Sequence, residues 1–135
     1  MAEVITEDRF AIQDEHSVTV ALAMLRRRLL EFEISEMLVA KLLTISSELA
    51  GNVLKYAVKG TLHLRQVRRA ERRGLEITVE DEGPGIADVD LALQDHFSSQ
   101  GTLGLGLPGV KRMVDDFELT SKVGEGTSVR AVVWL

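Results

Sequence analysis

The 135-residue chain has no cysteine. That removes disulfides, thiolate nucleophiles and cysteine zinc sites together, and it is compatible with a reducing compartment. Positive charge is not in excess: 16 Lys and Arg stand against 21 Asp and Glu, a net charge of −5. A general nucleic-acid binder carries the opposite balance, so no nucleic-acid partner is expected. No uninterrupted apolar run approaches the roughly 18 residues of a membrane span, and no membrane partner is expected. The opening MAEVITEDRF is acidic, unlike a secretory signal or a transit peptide. A cytoplasmic location is the expectation. No repeat, low-complexity tract or linker divides the chain, and its length suits a single domain over 1–135.

Two nucleotide motifs are missing as well. Gly104-x-Gly106-x-x-Gly109 has the spacing of a dinucleotide fingerprint. That fingerprint needs a strand directly before it, whereas QDHFSSQGTL is polar and lacks a β-branched run. A G-x-x-x-x-G-K-[ST] phosphate loop is absent altogether.

What is present reads as a series of strands and helices. EVITEDRF is a candidate first strand. Val18, Leu22, Leu25 and Leu29 recur at helical spacing, with Ser17 as the expected cap. A second helix is expected from Ser35, its cap, to Ala57, with Gly60 stopping it. Its stripe is Leu38, Leu42, Ile45, Leu49, Val53 and Tyr56. TLHLRQV and LEITVED read as strands joined by an arginine-rich turn around Gly74. A short helix is expected over 89–93. Pro108 suits the first turn of another helix that runs to about Asp116. FELTSK and TSVRAVVWL close the chain as a hairpin around VGEG. Clustered strands without regular alternation predict an α+β fold: a two-layer sandwich whose mixed or antiparallel sheet carries helices on one face.

Three segments carry candidate chemistry. In SELAGNVLKYA, a step of about 100° per residue puts Asn52 beside the apolar stripe, with Glu48 and Lys55 farther round on the same side. An acid, an amide and an amine on one flank suit work on a metal-bound phosphate. Asn can ligate Mg²⁺, Glu can serve as general base, and Lys can neutralise phosphate. A surface i,i+4 pair is the plainer alternative. Gly51, inside that helix, costs about 1 kcal/mol relative to Ala; either close approach of a ligand or nothing functional accounts for it. In DEGPGI, Asp81 ends a strand and can accept from an exocyclic amine such as adenine N6, while Gly83 and Gly85 let a flat base approach. A common Pro-Gly turn is the alternative. In GTLGLGL, glycines expose backbone N–H groups to phosphate at a helix start, and their spacing suits a mobile lid.

Together these segments resemble the GHKL ATPase superfamily, the Bergerat-fold group of histidine kinases, gyrase-type ATPases, Hsp90-type chaperones and anti-sigma serine kinases. ELAGN resembles its N box, DEGPG its G1 box, GTLGLGL its G2 lid, and GEGT at 124–127 its last adenine-contacting box. The resemblance implies ATP and Mg²⁺ as cofactors. It implies Glu48 as catalytic base, Asn52 as Mg²⁺ ligand and Lys55 as phosphate contact. Asp81 would bind the adenine amine in a pocket shaped by Gly83 and Gly85. Gly101, Leu103, Gly104, Leu105 and Gly106 would form the ATP lid, and Thr127 would support adenine.

Within the superfamily the chain is most similar to the RsbT-type switch serine/threonine kinases, through SELAGNVLKYA, VEDEGPGI, GLGLPGVKRMVDDF and VGEGTSVRAVVWL. Such kinases phosphorylate small STAS-domain proteins and, when released, activate a PP2C-type phosphatase. The alternative is a docking module or anti-sigma factor that binds a sigma factor or phosphatase. A detached histidine-kinase domain is a third reading, but His16, His63 and His96 have no phosphoacceptor context. The arginines at 26–28 and at 65, 68, 69, 72 and 73 read as solvated faces or as docking for an acidic partner.

Overall fold

The computed structural model describes residues 2–57, 59–85 and 106–135. Their elements run β1 (Glu3–Ile12), α1 (Glu15–Leu29), α2 (Glu36–Tyr56), β2 (Gly60–Arg69), β3 (Arg72–Asp81), α3 (Gly106–Met113), β4 (Asp116–Lys122) and β5 (Gly126–Trp134). The strands form one sheet in the order β1-β2-β3-β5-β4. All four pairings are antiparallel, so among the described residues the antiparallel alternative holds and the mixed one drops out. The expected helix over 89–93 lies outside the described residues.

The two expected helix caps fare differently from one another. Ser35 caps α2 as the sequence predicts, its hydroxyl accepting from Leu38 N at 3.1 Å. For α1 the cap is Asp14, not Ser17. Asp14 Oδ1 accepts from Ser17 N at 2.7 Å, and the Ser17 hydroxyl accepts from Asp14 N at 3.0 Å. This reciprocal box satisfies orphan donors of the first turn. Ser17 is thus the answering partner one turn in. The C-terminus of α2 is set by Ala57 turning extended, not by Gly60, which is already the first residue of β2.

The β2–β3 turn also moves. Arg69 pairs with Arg72, leaving Ala70 and Glu71 as a two-residue hairpin turn. Ala70 holds φ 55 there, a conformation such turns usually give to glycine. Gly74 lies inside β3 instead. A Cβ on it would stand 2.7 Å from Trp134 Cε3, so its bareness makes room for the indole. Trp134 donates from Nε1 to Asp116 Oδ2 at 2.7 Å and carries Arg69 over its ring.

One core fills the space between the helices and the inner sheet face. Leu25 and Leu29 of α1, Leu42, Ile45 and Leu49 of α2, and Val110 of α3 meet Leu62, Leu64, Leu75, Ile77 and Val129. The α2 stripe stops short of Tyr56, which is exposed. By length and mean hydropathy α2 would suit a bilayer, but its apolar residues are those packed on the sheet.

The outer sheet face is polar, yet much of it is closed. Glu76 and Thr78 alternate with the core residues of β3, and both are buried along with His63 of β2. A charge row explains Glu76. Glu7 of β1 pairs with Arg65 of β2, Arg65 with Glu76 at 3.0 Å, Glu76 with Arg130 of β5 at 3.5 Å, and Arg130 with Glu118 of β4 at 3.8 Å. Every strand contributes one residue and the sign alternates. A buried charge persists only when paired in this way. Hydrogen bonds from Arg65 and Arg9 hold the Glu7 carboxyl down at about 2.

His63 lies on the same outer face, opposite Thr78 of β3 and Arg9 of β1. Among the described residues neither ring nitrogen has a hydrogen-bond partner. Burial, helped by the Arg65 charge, lowers its pKa below the usual 6.5 against the opposing pull of Glu80 and Glu7. Below about pH 6.5 the unfolded chain therefore takes up a proton that the folded chain resists, and stability falls with pH. Glu7 acts lower, between 4.5 and about 2. The melting temperature is expected to drop between about pH 7 and pH 5, and His63→Gln to flatten that slope. An unchanged slope in the variant would remove His63 from the explanation.

Candidate functional site

The sequence-predicted residues fall into two groups. The first gathers where β3 and β5 end. Asp81 stands opposite Thr127 in the β3–β5 pairing. Its Oδ1 accepts from Gly83 N at 2.9 Å and from Thr127 N at 3.2 Å. One carboxylate oxygen thus ties the loop after β3 to the start of β5. Among the described residues, no hydrogen bond reaches the second oxygen.

Glycines make this corner possible. Gly85 holds φ 77, and a Cβ there would lie 2.4 Å from the Lys122 carbonyl oxygen. Gly126 holds φ 115, with the Asp81 carbonyl oxygen 2.1 Å from where its Cβ would be. Both positions combine a left-handed backbone with a contact that excludes any side chain. Gly83 presses against the end of α2, its absent Cβ 2.7 Å from Ala57 Cβ. The Thr127 hydroxyl lies 2.9 Å from the Ser121 hydroxyl on β4. Reading the sequence alone singled out Asp81, Gly83, Gly85 and Thr127 but missed Gly126 and Ser121. The GEGT motif contained the signal for Gly126. Ser121 becomes visible only with the β4–β5 register.

The second group lies on α2 and at the start of α3. Glu48 and Asn52 are four residues apart and so stack on one helix flank. Both are half-buried, while Lys55 is exposed and makes no ion pair among the described residues. Glu48 Oε1 accepts a hydrogen bond from Gly106 N at 3.0 Å. The carboxylate therefore sits at the N-terminus of α3, where backbone donors and the helix dipole favour an anion. Asn52 Oδ1 is buried and has no hydrogen-bond partner among the described residues. A buried amide oxygen left unpaired is costly, and an amide oxygen is a hard donor suited to Mg²⁺. The residue type and the vacancy in its bonding fit the ion. Asn52 precedes Ala57 by five residues, roughly 7.5 Å along the helix, so α2 links the two groups. A Cβ at Gly51 would meet nothing within 4 Å, so no packing demand accounts for that glycine. Gly101, Leu103, Gly104 and Leu105 lie outside the described residues.

A groove of about 510 Å³ opens between α1 and α2, next to Glu48. Leu22 and Arg26 line it from α1, and Leu43, Thr44, Ser47 and Glu48 from α2. Glu48 is thus shared between this groove and the Asn52 flank.

Comparison with known proteins shows which family the chain resembles. The family described as histidine kinase-, DNA gyrase B- and HSP90-like ATPases matches residues 38–135. The serine/threonine-protein kinase RsbT of Bacillus subtilis (strain 168) is 49% identical over 96 residues, which cover 71% of this chain and 72% of that one. An anti-sigma F factor of Thermoanaerobacter sp. (strain X514) is 28% identical over 102 residues, 72% of this chain and 71% of its own. Another, from Heyndrickxia coagulans, is 41% identical over 59 residues, 42% of this chain and 40% of its own. With Asp81, Glu48 and Asn52 arranged as described, the chain belongs to the histidine kinase-, DNA gyrase B- and HSP90-like ATPase family.

Proposed function

We propose that this protein is a serine/threonine kinase that passes the γ-phosphate of ATP to a small STAS-domain regulator in the cytoplasm. It acts as one domain and, once released from that regulator, activates a PP2C-type phosphatase. The observation that carries the reading is the pairing on α2 of Glu48 with Asn52, whose buried Oδ1 lacks a partner among the described residues. Similarity to RsbT of Bacillus subtilis supports the choice of kinase.

The residues divide the work as follows. Asp81 Oδ2 accepts the adenine amine, while Oδ1 keeps the loop and β5 in place. Gly83 and Gly85 keep that pocket flat, and Thr127 supports the base. Gly101, Leu103, Gly104, Leu105 and Gly106 close over the phosphates, with Gly106 N at the start of α3. Lys55 lies free to meet phosphate charge. Asn52 would hold Mg²⁺, which when bound neutralises charge on the phosphate oxygens. Glu48 takes the proton of the incoming hydroxyl. The hydroxyl oxygen bonds to the γ-phosphorus, the bond to the β-phosphate oxygen breaks, and ADP leaves.

Incubation of the purified protein with Mg-ATP and a recombinant STAS-domain protein is expected to yield phosphoserine or phosphothreonine on that protein. No transfer to any STAS domain sinks the reading. The similarity to anti-sigma F factors favours one rival, direct capture of a sigma factor. Recovery of a sigma factor and no STAS protein in a pull-down would select it.

A further inference from the structure

The arginines of this chain do not share one fate. Arg28 pairs with Asp8 at 2.9 Å and with Glu31. Arg65 lies in the charge row, Arg68 pairs with Glu3 at 2.9 Å, and Arg69 and Arg72 lie over Trp134. Arg26 and Arg27 are exposed and make no ion pair among the described residues. Their place in the last turn of α1 suits the helix dipole, but any cation there would serve the dipole equally. Only Arg26 of the two lines the α1–α2 groove.

The position of that groove gives Arg26 a use. Glu48 forms one of its walls, and Leu22 and Leu43 are half-buried beneath it. Its volume falls within the ~300–1,000 Å³ typical of ligand sites, enough for a few residues of a peptide segment. If Glu48 is the base, the accepting hydroxyl must arrive beside it, and the groove reaches Glu48 from the Thr44 side, one turn away from Glu48 in the direction opposite to Asn52. An unpaired guanidinium along such a path selects for a carboxylate. The geometry points to the α1–α2 groove as the docking site of the substrate protein's phosphoacceptor segment, with Arg26 pairing an acidic residue close to the accepted Ser or Thr. This rests on the kinase reading above. Arg26 is a positioning residue: it touches the substrate protein away from the reacting atoms.

The test compares Arg26→Glu with Arg27→Glu on the full chain, using Mg-ATP and the STAS-domain protein that the wild type phosphorylates. Arg26→Glu is expected to raise the KM for the protein substrate by about tenfold or more, with the KM for ATP unchanged and the melting temperature lowered no further than in Arg27→Glu, which reverses a charge in the same helix turn. Arg27→Glu is expected to match the wild type in both KM values. Changing the acidic residues that flank the accepted Ser or Thr to Lys, one at a time, is expected to yield one substrate that rescues Arg26→Glu. A wild-type KM in Arg26→Glu, an equal loss in Arg27→Glu, or no rescuing substrate overturns the groove assignment and leaves the kinase reading standing. A wild type without transfer overturns the kinase reading, and the groove assignment with it.

Discussion

Glu48→Ala is expected to cut phosphoryl transfer by about 10²- to 10⁴-fold, the range of a lost general base, while ATP still binds. The carboxylate is the proposed acceptor for the substrate proton, whereas Asp81, the glycines and Asn52 are the proposed holders of the nucleotide. Glu48 also caps α3 through Gly106 N, so alanine alone mixes two losses. Glu48→Gln separates them. Its amide oxygen can still accept from Gly106 N, but it cannot take up a proton near neutral pH. Single-turnover transfer with [γ-³²P]ATP and nucleotide affinity by calorimetry read the two roles apart. Glutamine as inactive as alanine marks a base. Glutamine as active as the wild type would reduce Glu48 to a helix cap.

Asp81→Asn is the second large effect, and it falls on binding. Asparagine can keep its Oδ1 on Gly83 N and Thr127 N, so the corner between β3 and β5 should hold. Its NH₂ then stands where the carboxylate offered Oδ2, and a ligand amine meets a donor instead of an acceptor. ATP affinity is expected to fall about 100-fold, equivalent to ~2.7 kcal/mol, with little change in melting temperature. Asp81→Ala should lose affinity and also stability, because Gly83 N and Thr127 N lose their acceptor. Fluorescence of a labelled ATP analogue and thermal unfolding measure both. Unchanged affinity in Asp81→Asn would move the base-binding site elsewhere.

Much of this site was legible because its parts are local. The α2 stripe through Leu42, Ile45, Leu49 and Val53 follows helical spacing, and so fixes the flank on which Glu48 and Asn52 fall. Ser35 was readable as a cap for the same reason. Asp14 was not, because Asp14 and Ser17 are both good caps and only the backbone direction at Asp14 separates them. The β2–β3 turn was misplaced at Gly74 because glycine signals turns and close approaches alike. Only the pairing of Gly74 with Trp134 tells the two apart. The contact between Glu48 and Gly106 spans 58 residues, beyond any local pattern. Glu76 and Thr78 alternate with the core residues of β3, but nothing in alternation says that an outer face can close over its own residues.

That closed outer face also acts as an alignment key. Antiparallel strands with a polar side can slide by two residues and still keep their apolar side inward. Here such a slide between β1 and β2 would bring Arg9 opposite Arg65 in place of Glu7, setting like charges side by side. Between β4 and β5, Glu118 stands directly opposite Arg130, whereas Arg130 faces Thr78 across β3 and reaches Glu76 diagonally. Asp81 meets Thr127 only when β3 and β5 are in that register. A slide of β1 on β2 is thus penalised on the outer face of the sheet, while the Asp81–Thr127 contact holds β3 and β5 in step at the end of their own register.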